Sequence, residues 1–306
     1  MNQTQRASDR KTKQQLTAGS LPVIALLTAV LFWGASFSTM RVAVNQLTPA
    51  SVMWLRMVIA CILLIPFAKQ LLPDDYRKGD WKRLVPMVLF QPCLYFLFES
   101  NALQYTTSSQ AGVISASVPL IVSLGAWLFL AEHISLRIML GMVGAMAGVS
   151  WLTLSGDTSG QASQPLLGNS LELIAMICAA ANLVMVKGLS RRYNPWTLTA
   201  LQVVAGVVFF LPGSRHLFSA GLAVWNPSLV LVLLFLGSCV TLVAFGLYNW
   251  GMSRIPASRA SAFINLVPVT AVAIGWGILG ESLSLVQCMA GLMVIGGVML
   301  SQAETR

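Results

Sequence analysis

Arg56 and Glu99 are ionisable residues set inside long apolar runs, and that placement marks them as candidates for a working site. Near the centre of a membrane helix such a side chain costs at least ~2.5 kcal/mol unless it faces a partner or a water-filled cavity. Counted inward from the breaks at Pro49 and Thr106, each lies roughly 10 Å below the same surface at 1.5 Å per residue, so the two can meet. Gln91, Tyr95 and Glu99 recur at i, i+4 and i+8, on one helix face. A polar stripe on an apolar helix points inward and suits the binding of a small-molecule substrate. Its carboxylate also admits proton coupling, because a Glu that loses a neighbouring Arg to substrate gains affinity for a proton. Glu172, near the start of its own apolar run, is the rival for that part. The structural alternative is an ion pair that locks two helices and touches no substrate.

The second half of the chain offers matching positions. A shift of 149 lays Tyr248 on Glu99, and the run around it carries Ser238, Thr241, Phe245 and Tyr248 at similar spacing. A shift of 146 lays Gln202 on Arg56. Rare polar positions of one half thus coincide with those of the other, as expected if both halves line one central site. Trp33 stands about twelve residues into the first apolar run, near mid-membrane, where an indole wants a hydrogen-bond partner or a flat ligand. Trp54, Trp81, Trp151, Trp196 and Trp225 sit near run ends, as the interfacial belt requires. Asn182 and Asn265 complete the polar inventory, although an interhelical hydrogen bond is the commoner use of Asn in such runs. The expected substrate-binding set is Trp33, Arg56, Gln91, Tyr95, Glu99, Asn182, Gln202, Thr241, Tyr248 and Asn265.

Other chemistries lack their parts. Cys61, Cys93, Cys178, Cys239 and Cys288 all lie in apolar runs, and no CxxC or Cys/His pairing marks a metal or redox centre. His133 and His216 fall at run ends on opposite faces. No metal and no cofactor is expected. A membrane-embedded enzyme would need a nucleophile and base, a metal set or a carboxylate dyad at depth, and the sequence groups none. A scaffold without flux has little use for a buried Arg and Glu near one axis. Glu132 and Glu281, each just before a short turn and a Ser at an N-cap position, read as turn anchors rather than catalytic groups.

What must hold these residues is a bundle in a lipid bilayer. Hydrophobic residues make up 56% and charged residues 9% of the chain, with a mean hydropathy of +0.75, against roughly 25% charged in soluble proteins. Apolar runs of about 20 residues, enough to cross roughly 30 Å of hydrocarbon, fall near 21 to 44, 49 to 68, 84 to 105, 108 to 130, 136 to 154, 167 to 187, 195 to 212, 228 to 252, 256 to 279 and 284 to 301. The sequence therefore predicts an all-α membrane protein of ten transmembrane helices behind a polar, unstructured tail over residues 1–20. Residues 21–154 and 167–301 form two repeats: Pro119 falls on Pro268, Trp127 on Trp276, Glu132 on Glu281 and Gly148 on Gly297, while Arg41 falls on Lys187 and Pro49 on Pro195. Five spans per copy bring the second copy in from the opposite side, and such inverted repeats supply the symmetry that alternating access needs.

Orientation follows from Lys and Arg. With a cytoplasmic N-terminus, that side collects the cations around residues 6–13, 69–83, 137, 187–192, 254–259 and 306, and the other keeps Arg215. Both termini are expected to be cytoplasmic and the loop near Asp157 external. The net charge of +9 is explained by this rule and points to no nucleic-acid partner. Gly141, Gly144 and Gly148, with Gly291, Gly296 and Gly297, allow close helix approach, so the fourth, fifth, ninth and tenth runs read as packed support.

Phe32-Trp33-Gly34-Ala35-Ser36-Phe37, the stretch Ala102 to Thr106 leading to Pro119-Leu120, Ser258 to Pro268, the two Glu positions and the closing Gly297-Val298 together resemble the EamA family of the drug/metabolite transporter superfamily. The resemblance spans about residues 21 to 301. It implies a ten-helix inner-membrane carrier, commonly an exporter of amino acids, other metabolites or drugs, with a central cavity between spans 1 to 4 and 6 to 9. An uncoupled facilitator or exchanger is the alternative. In the superfamily's sugar-phosphate branch, cavity cations bind substrate; Arg56 and Arg41 could match them, but Glu99 argues against a strongly anionic substrate.

Overall fold

The computed structural model describes the backbone of residues 3–72, 76–122, 124, 136–155, 162–219, 225–254 and 263–302. Helices begin where a polar cap precedes proline. Thr48 accepts from Ser51 N (3.4 Å) ahead of Pro49, Asn194 from Trp196 N (3.0 Å) ahead of Pro195, and Asn226 from Leu229 N (2.8 Å) ahead of Pro227. Proline at the first helical position loses no bond, since that N–H has no partner inside the helix. The helices are α1 (Gln3–Val44), α2 (Pro49–Leu64, extended by a 3-10 segment to Leu71), α3 (Trp81–Val88), α4 (Tyr95–Tyr105), α5 (Ser108–Ser115) and α6 (Leu136–Leu154). The second half follows with α7 (Pro165–Leu189), α8 (Pro195–Phe209), α9 (Ser214–Ser219), α10 (Pro227–Leu234), α11 (Phe245–Arg254), α12 (Leu266–Leu279) and α13 (Leu285–Gln302).

Corresponding helices of the two halves are interrupted at the same place. A π-helical segment, Leu89–Leu94, joins α3 to α4, and another, Phe235–Ala244, joins α10 to α11. In the first, Gln91 leaves the helical region altogether (φ −147°, ψ 121°) and Pro92 follows it. Broken backbone inside a membrane survives where side chains satisfy the released carbonyls. Here Asn182 Nδ2 donates to Met87 O (2.9 Å) and Gln202 Nε2 to Gln91 O (3.1 Å).

Helix neighbours also respect the exchange of halves. α4 packs along α7 as α11 packs along α1, and α1 meets α12 as α7 meets α5; α2 meets α8, α5 meets α12 and α6 meets α13 across the two halves. The α6–α13 contact is close enough to need glycine. A Cβ on Gly297 would fall 2.6 Å from Gly141 O, and one on Gly148 would fall 2.8 Å from Val294 Cγ2. These two helices are support, as the glycine pattern predicts; α5 and α12, expected to share that role, instead also wall the cavity described below.

One further expectation is modified. The first helix runs back to Gln3, so the stretch over 3–20 is helical where the sequence predicts an unstructured tail; its Arg, Lys and Gln residues are good helix formers that extend the span behind them. Among the described residues four helices are long and apolar enough to cross a membrane, Leu21–Val44, Pro49–Leu71, Pro165–Leu189 and Pro227–Arg254, and a fifth if the bent pair from Pro195 to Leu217 is one span. The remaining apolar helices among the described residues are shorter. Glu132, His133, Trp127, Ser258 and the Asp157 loop lie outside the described residues.

Candidate functional site

A cavity of about 60 Å³ lies between the two halves. α1 contributes Trp33, Ser36 and Phe37; the π-segment and α4 contribute Gln91 and Tyr95; α7 contributes Met176, Ala179 and Leu183. Ser115 and Val118 from the first half and Phe245, Ile264 and Val267 from the second complete it. The lining is largely apolar with a few polar groups, the composition of small-molecule sites. Trp33 is tilted against Tyr248 (ring centroids 4.7 Å apart) and Phe245 (5.1 Å). Its Nε1 is buried and has no hydrogen-bond partner among the described residues, leaving a donor at the wall.

Behind this wall lies the charged group. Arg56 is 1% exposed, donates from Nε to Thr241 Oγ1 (2.7 Å) and lies over the Phe96 ring (4.3 Å), while its Nη2 is unpartnered. Thr241 passes its own proton to Leu236 O (2.8 Å) inside the second π-segment. Glu99 accepts from the Tyr95 hydroxyl. Arg56 and Glu99 attract one another electrostatically but form no direct ion pair. Arg56 therefore ties the halves through Thr241 rather than through Glu99. A smaller space of about 10 Å³ between Gln91, Phe96, Gln202, Thr241 and Phe245 adjoins this group.

Of the ten expected site residues, Trp33, Gln91 and Tyr95 line the main cavity, and Gln202 and Thr241 line the smaller one. Arg56, Glu99 and Tyr248 stand directly behind these walls. Asn182 is engaged in satisfying the break at Met87, and Asn265 ends a short 3-10 turn beside the lining residue Ile264. Apolar or small lining residues such as Phe37, Ser115, Val118, Met176 and Leu183 were not legible, since nothing in their type separates a cavity wall from a helix contact.

Beyond one end of the cavity a buried polar cluster, the seal, joins helices of both halves. At the close of α1, Arg41 pairs with Glu281, whose side chain is 1% exposed. Glu281 also accepts from Ser108 N (3.0 Å), Ser108 Oγ (2.7 Å), Ser109 N (2.9 Å) and Ser109 Oγ (2.6 Å) at the start of α5. Burial alone pushes its carboxyl up, but the hydroxyls and amides of Ser109 and Ser108 together hold it below the ordinary carboxylate value. Glu281 thus caps a distant helix instead of anchoring its local turn. The left-handed Gly280 (φ 64°) ends α12 just before it, and a Cβ on Gly275 would fall 2.4 Å from Glu281 Oε2. Beside this cap, Thr106 Oγ1 donates to Asn169 Oδ1 (2.6 Å) and Asn169 Nδ2 to Gln110 Oε1 (3.0 Å), joining α4, α5 and α7. Arg41 is held in this seal and does not line the main cavity.

The model of the EamA-like transporter family matches the chain twice, over residues 20–154 and 166–302. An uncharacterized transporter, YetK, of Bacillus subtilis is 27% identical over 289 residues, covering 91% of this chain and 86% of its own. An uncharacterized transporter of Archaeoglobus fulgidus is 23% identical, covering 92% of this chain and 97% of its own. A protein solved by crystallography shares the fold, with a TM-score of 0.61 over 92% of this chain and 97% of its own, at 19% identity. With both halves matched and the apolar helices arranged around one cavity, this chain is a multi-pass membrane protein belonging to the EamA-like transporter family.

Proposed function

We propose that this protein is a secondary transporter of the inner membrane, built as ten spans in two inverted repeats with both termini cytoplasmic, that exports small amphipathic organic molecules such as amino acids or drugs. The observation that carries the reading is the cavity: one space, walled by both halves, between helices whose contacts map onto each other when the halves are exchanged. Under the cation count, the Arg41–Glu281 end faces outward, so the conformation is closed to the outside. Opening that end while the pseudo-symmetric end closes is the exchange that alternating access requires.

Substrate meets Trp33, Tyr95 and Gln91 directly, with the Trp33 indole N–H and the Gln91 side chain as polar contacts in an otherwise apolar lining. Arg56, Glu99, Gln202, Thr241 and Tyr248 hold those groups in place and set the field at the wall.

Reconstitution in proteoliposomes with a panel of labelled amino acids and aromatic amines tests the function. Counterflow of at least one member, abolished by no more than the loss of the protein, is expected; absence of flux for amphipathic solutes of every charge type overturns it. Orientation is tested separately by single cysteines at positions 77, 157 and 306 in a Cys-free background. An impermeant reagent should reach only position 157 in intact cells.

A further inference from the structure

Glu172 is the most deeply enclosed charge-bearing group of the described residues: its relative exposure is 0%, and neither carboxylate oxygen has a hydrogen-bond partner. An ionised carboxylate enclosed without a donor is so costly that such a group neutralises instead. Among the described residues no cation offsets its charge. Elements packed against α7 bring Tyr95, Glu99 and Tyr105 on α4, Cys93 on the π-segment, Lys82 and Arg83 on α3, Tyr248 and Arg254 on α11 and Arg137 on α6, while α5 brings no ionisable group. Of these, Glu99 and Tyr95 interact electrostatically with Glu172, and both are negative when ionised. Arg56 directs its Nε to Thr241 and its plane to Phe96.

The position of Glu172 along α7 gives this a use. Asn169, Glu172, Met176, Ala179 and Leu183 follow at spacings of three and four residues, so they share one helix face. Asn169 belongs to the seal with Thr106 and Gln110, and Met176, Ala179 and Leu183 line the cavity. At 1.5 Å per residue Glu172 is about 4.5 Å from the seal and about 6 Å from the cavity wall along the axis. The seal is tight at this point, since a Cβ on Gly168 would fall 2.7 Å from Thr106 Cβ. Parting α7 from α4 and α5 at the seal frees Asn169 first and then uncovers Glu172, ahead of Met176, Ala179 and Leu183 on the stripe.

We propose that Glu172 is a proton-binding site, occupied as the neutral acid while the Thr106–Asn169–Gln110 seal is closed, and that opening of the seal is what lets its proton exchange with water. Only the carboxyl O–H bond is made or broken, and the proton goes to or comes from solvent. The coupling use of this site rests on the transporter reading; its existence does not, and the test below needs no substrate. It moves the proton from Glu99, which has Tyr95 as a donor and Arg56 as a nearby cation, to Glu172, which has neither.

Infrared spectroscopy of the purified protein in lipid at neutral pH reads the carbonyl stretch of protonated carboxyl groups directly. The expected result is a band in the wild type that is lost in Glu172→Gln and kept in Glu99→Gln. Glu172→Leu, which needs no hydrogen-bond partner, replaces the amide variant if that one does not fold. Absence of the band in the wild type, its loss in Glu99→Gln, or its persistence in every Glu172 variant overturns the assignment. Transfer to heavy water then times the exchange. Asn169→Ala should speed the deuterium shift of the band about tenfold, the equivalent of about 1.4 kcal/mol of easier opening, and an unchanged rate overturns control by the seal. Failure of the liposome flux assay with these spectra intact would discard transport and leave the proton site standing.

Discussion

Glu281 and Glu172 are both buried carboxylates at the sealed end of the cavity, and they are treated in opposite ways. Glu281 receives two backbone amides, two hydroxyls and a guanidinium. Glu172 receives none. A saturated carboxylate behaves as a fixed charge that fastens α1, α5 and the end of α12 together. A bare one is tolerable only when neutral, and so is free to exchange a proton whenever the packing around it opens. The sealed end therefore combines a fixed anion with a neutral carboxyl whose proton can exchange.

The largest expected effect comes from removing the anchor. Glu281→Ala strands Arg41, Ser108 and Ser109 together and should cost about 3–5 kcal/mol, read as a large drop in the detergent unfolding midpoint or loss of the monodisperse protein. Because the folded carboxyl sits below its ordinary value of 4.5, its stabilisation is present at neutral pH and is lost as pH falls below that value. Glu281→Gln should flatten this acid-side loss, whereas Glu172→Leu should leave it in place; the reverse pattern would exchange the two roles.

Next in size is the support at the far side of the bundle. Gly297→Leu forces a side chain into the Gly141 and Ala145 backbone and should destabilise by about 3 kcal/mol without changing the ligand preference of whatever protein remains folded. Thr241→Val removes the acceptor of Arg56 Nε and should cost about 2 kcal/mol in thermal stability, with Thr241→Ser recovering most of it. Smallest in energy is Trp33→Ala. It should weaken binding of the best ligand in the panel roughly tenfold, about 1.4 kcal/mol, while the unfolding midpoint moves little. Equal loss of stability would make Trp33 a packing residue.

Much of the fold was legible because it is written in runs and caps. Thr48-Pro49, Asn194-Pro195 and Asn226-Pro227 mark helix starts in sequence and cap them in the structure. Of the stripe, Tyr95 reaches the cavity wall with Glu99 one turn behind it, as helical spacing requires, whereas Gln91 reaches the wall from non-helical backbone. The break at Gln91 tilts that stripe, and no spacing rule contains it. Asn182 and Gln202 looked like ligand-binding polar groups; they are spent on the carbonyls that the break releases. Glu281 looked local because sequence shows only its neighbours in the chain, whereas its donors come from residues 108 and 109.

Composition and repetition determined that this chain is an all-helical membrane protein in two related halves, because apolar run length and duplicated residues are properties of order along the chain. They also determined that an Arg and more than one Glu lie in apolar surroundings. Which of those charges is paired was decided by the tertiary structure alone. Arg56 finds Thr241, Glu99 finds Tyr95, Glu281 finds a whole helix end, and Glu172 finds nothing. The reason is physical: the cost of a buried charge depends on donors and acceptors within hydrogen-bond reach, and in a bundle those are supplied by helices far apart in the sequence.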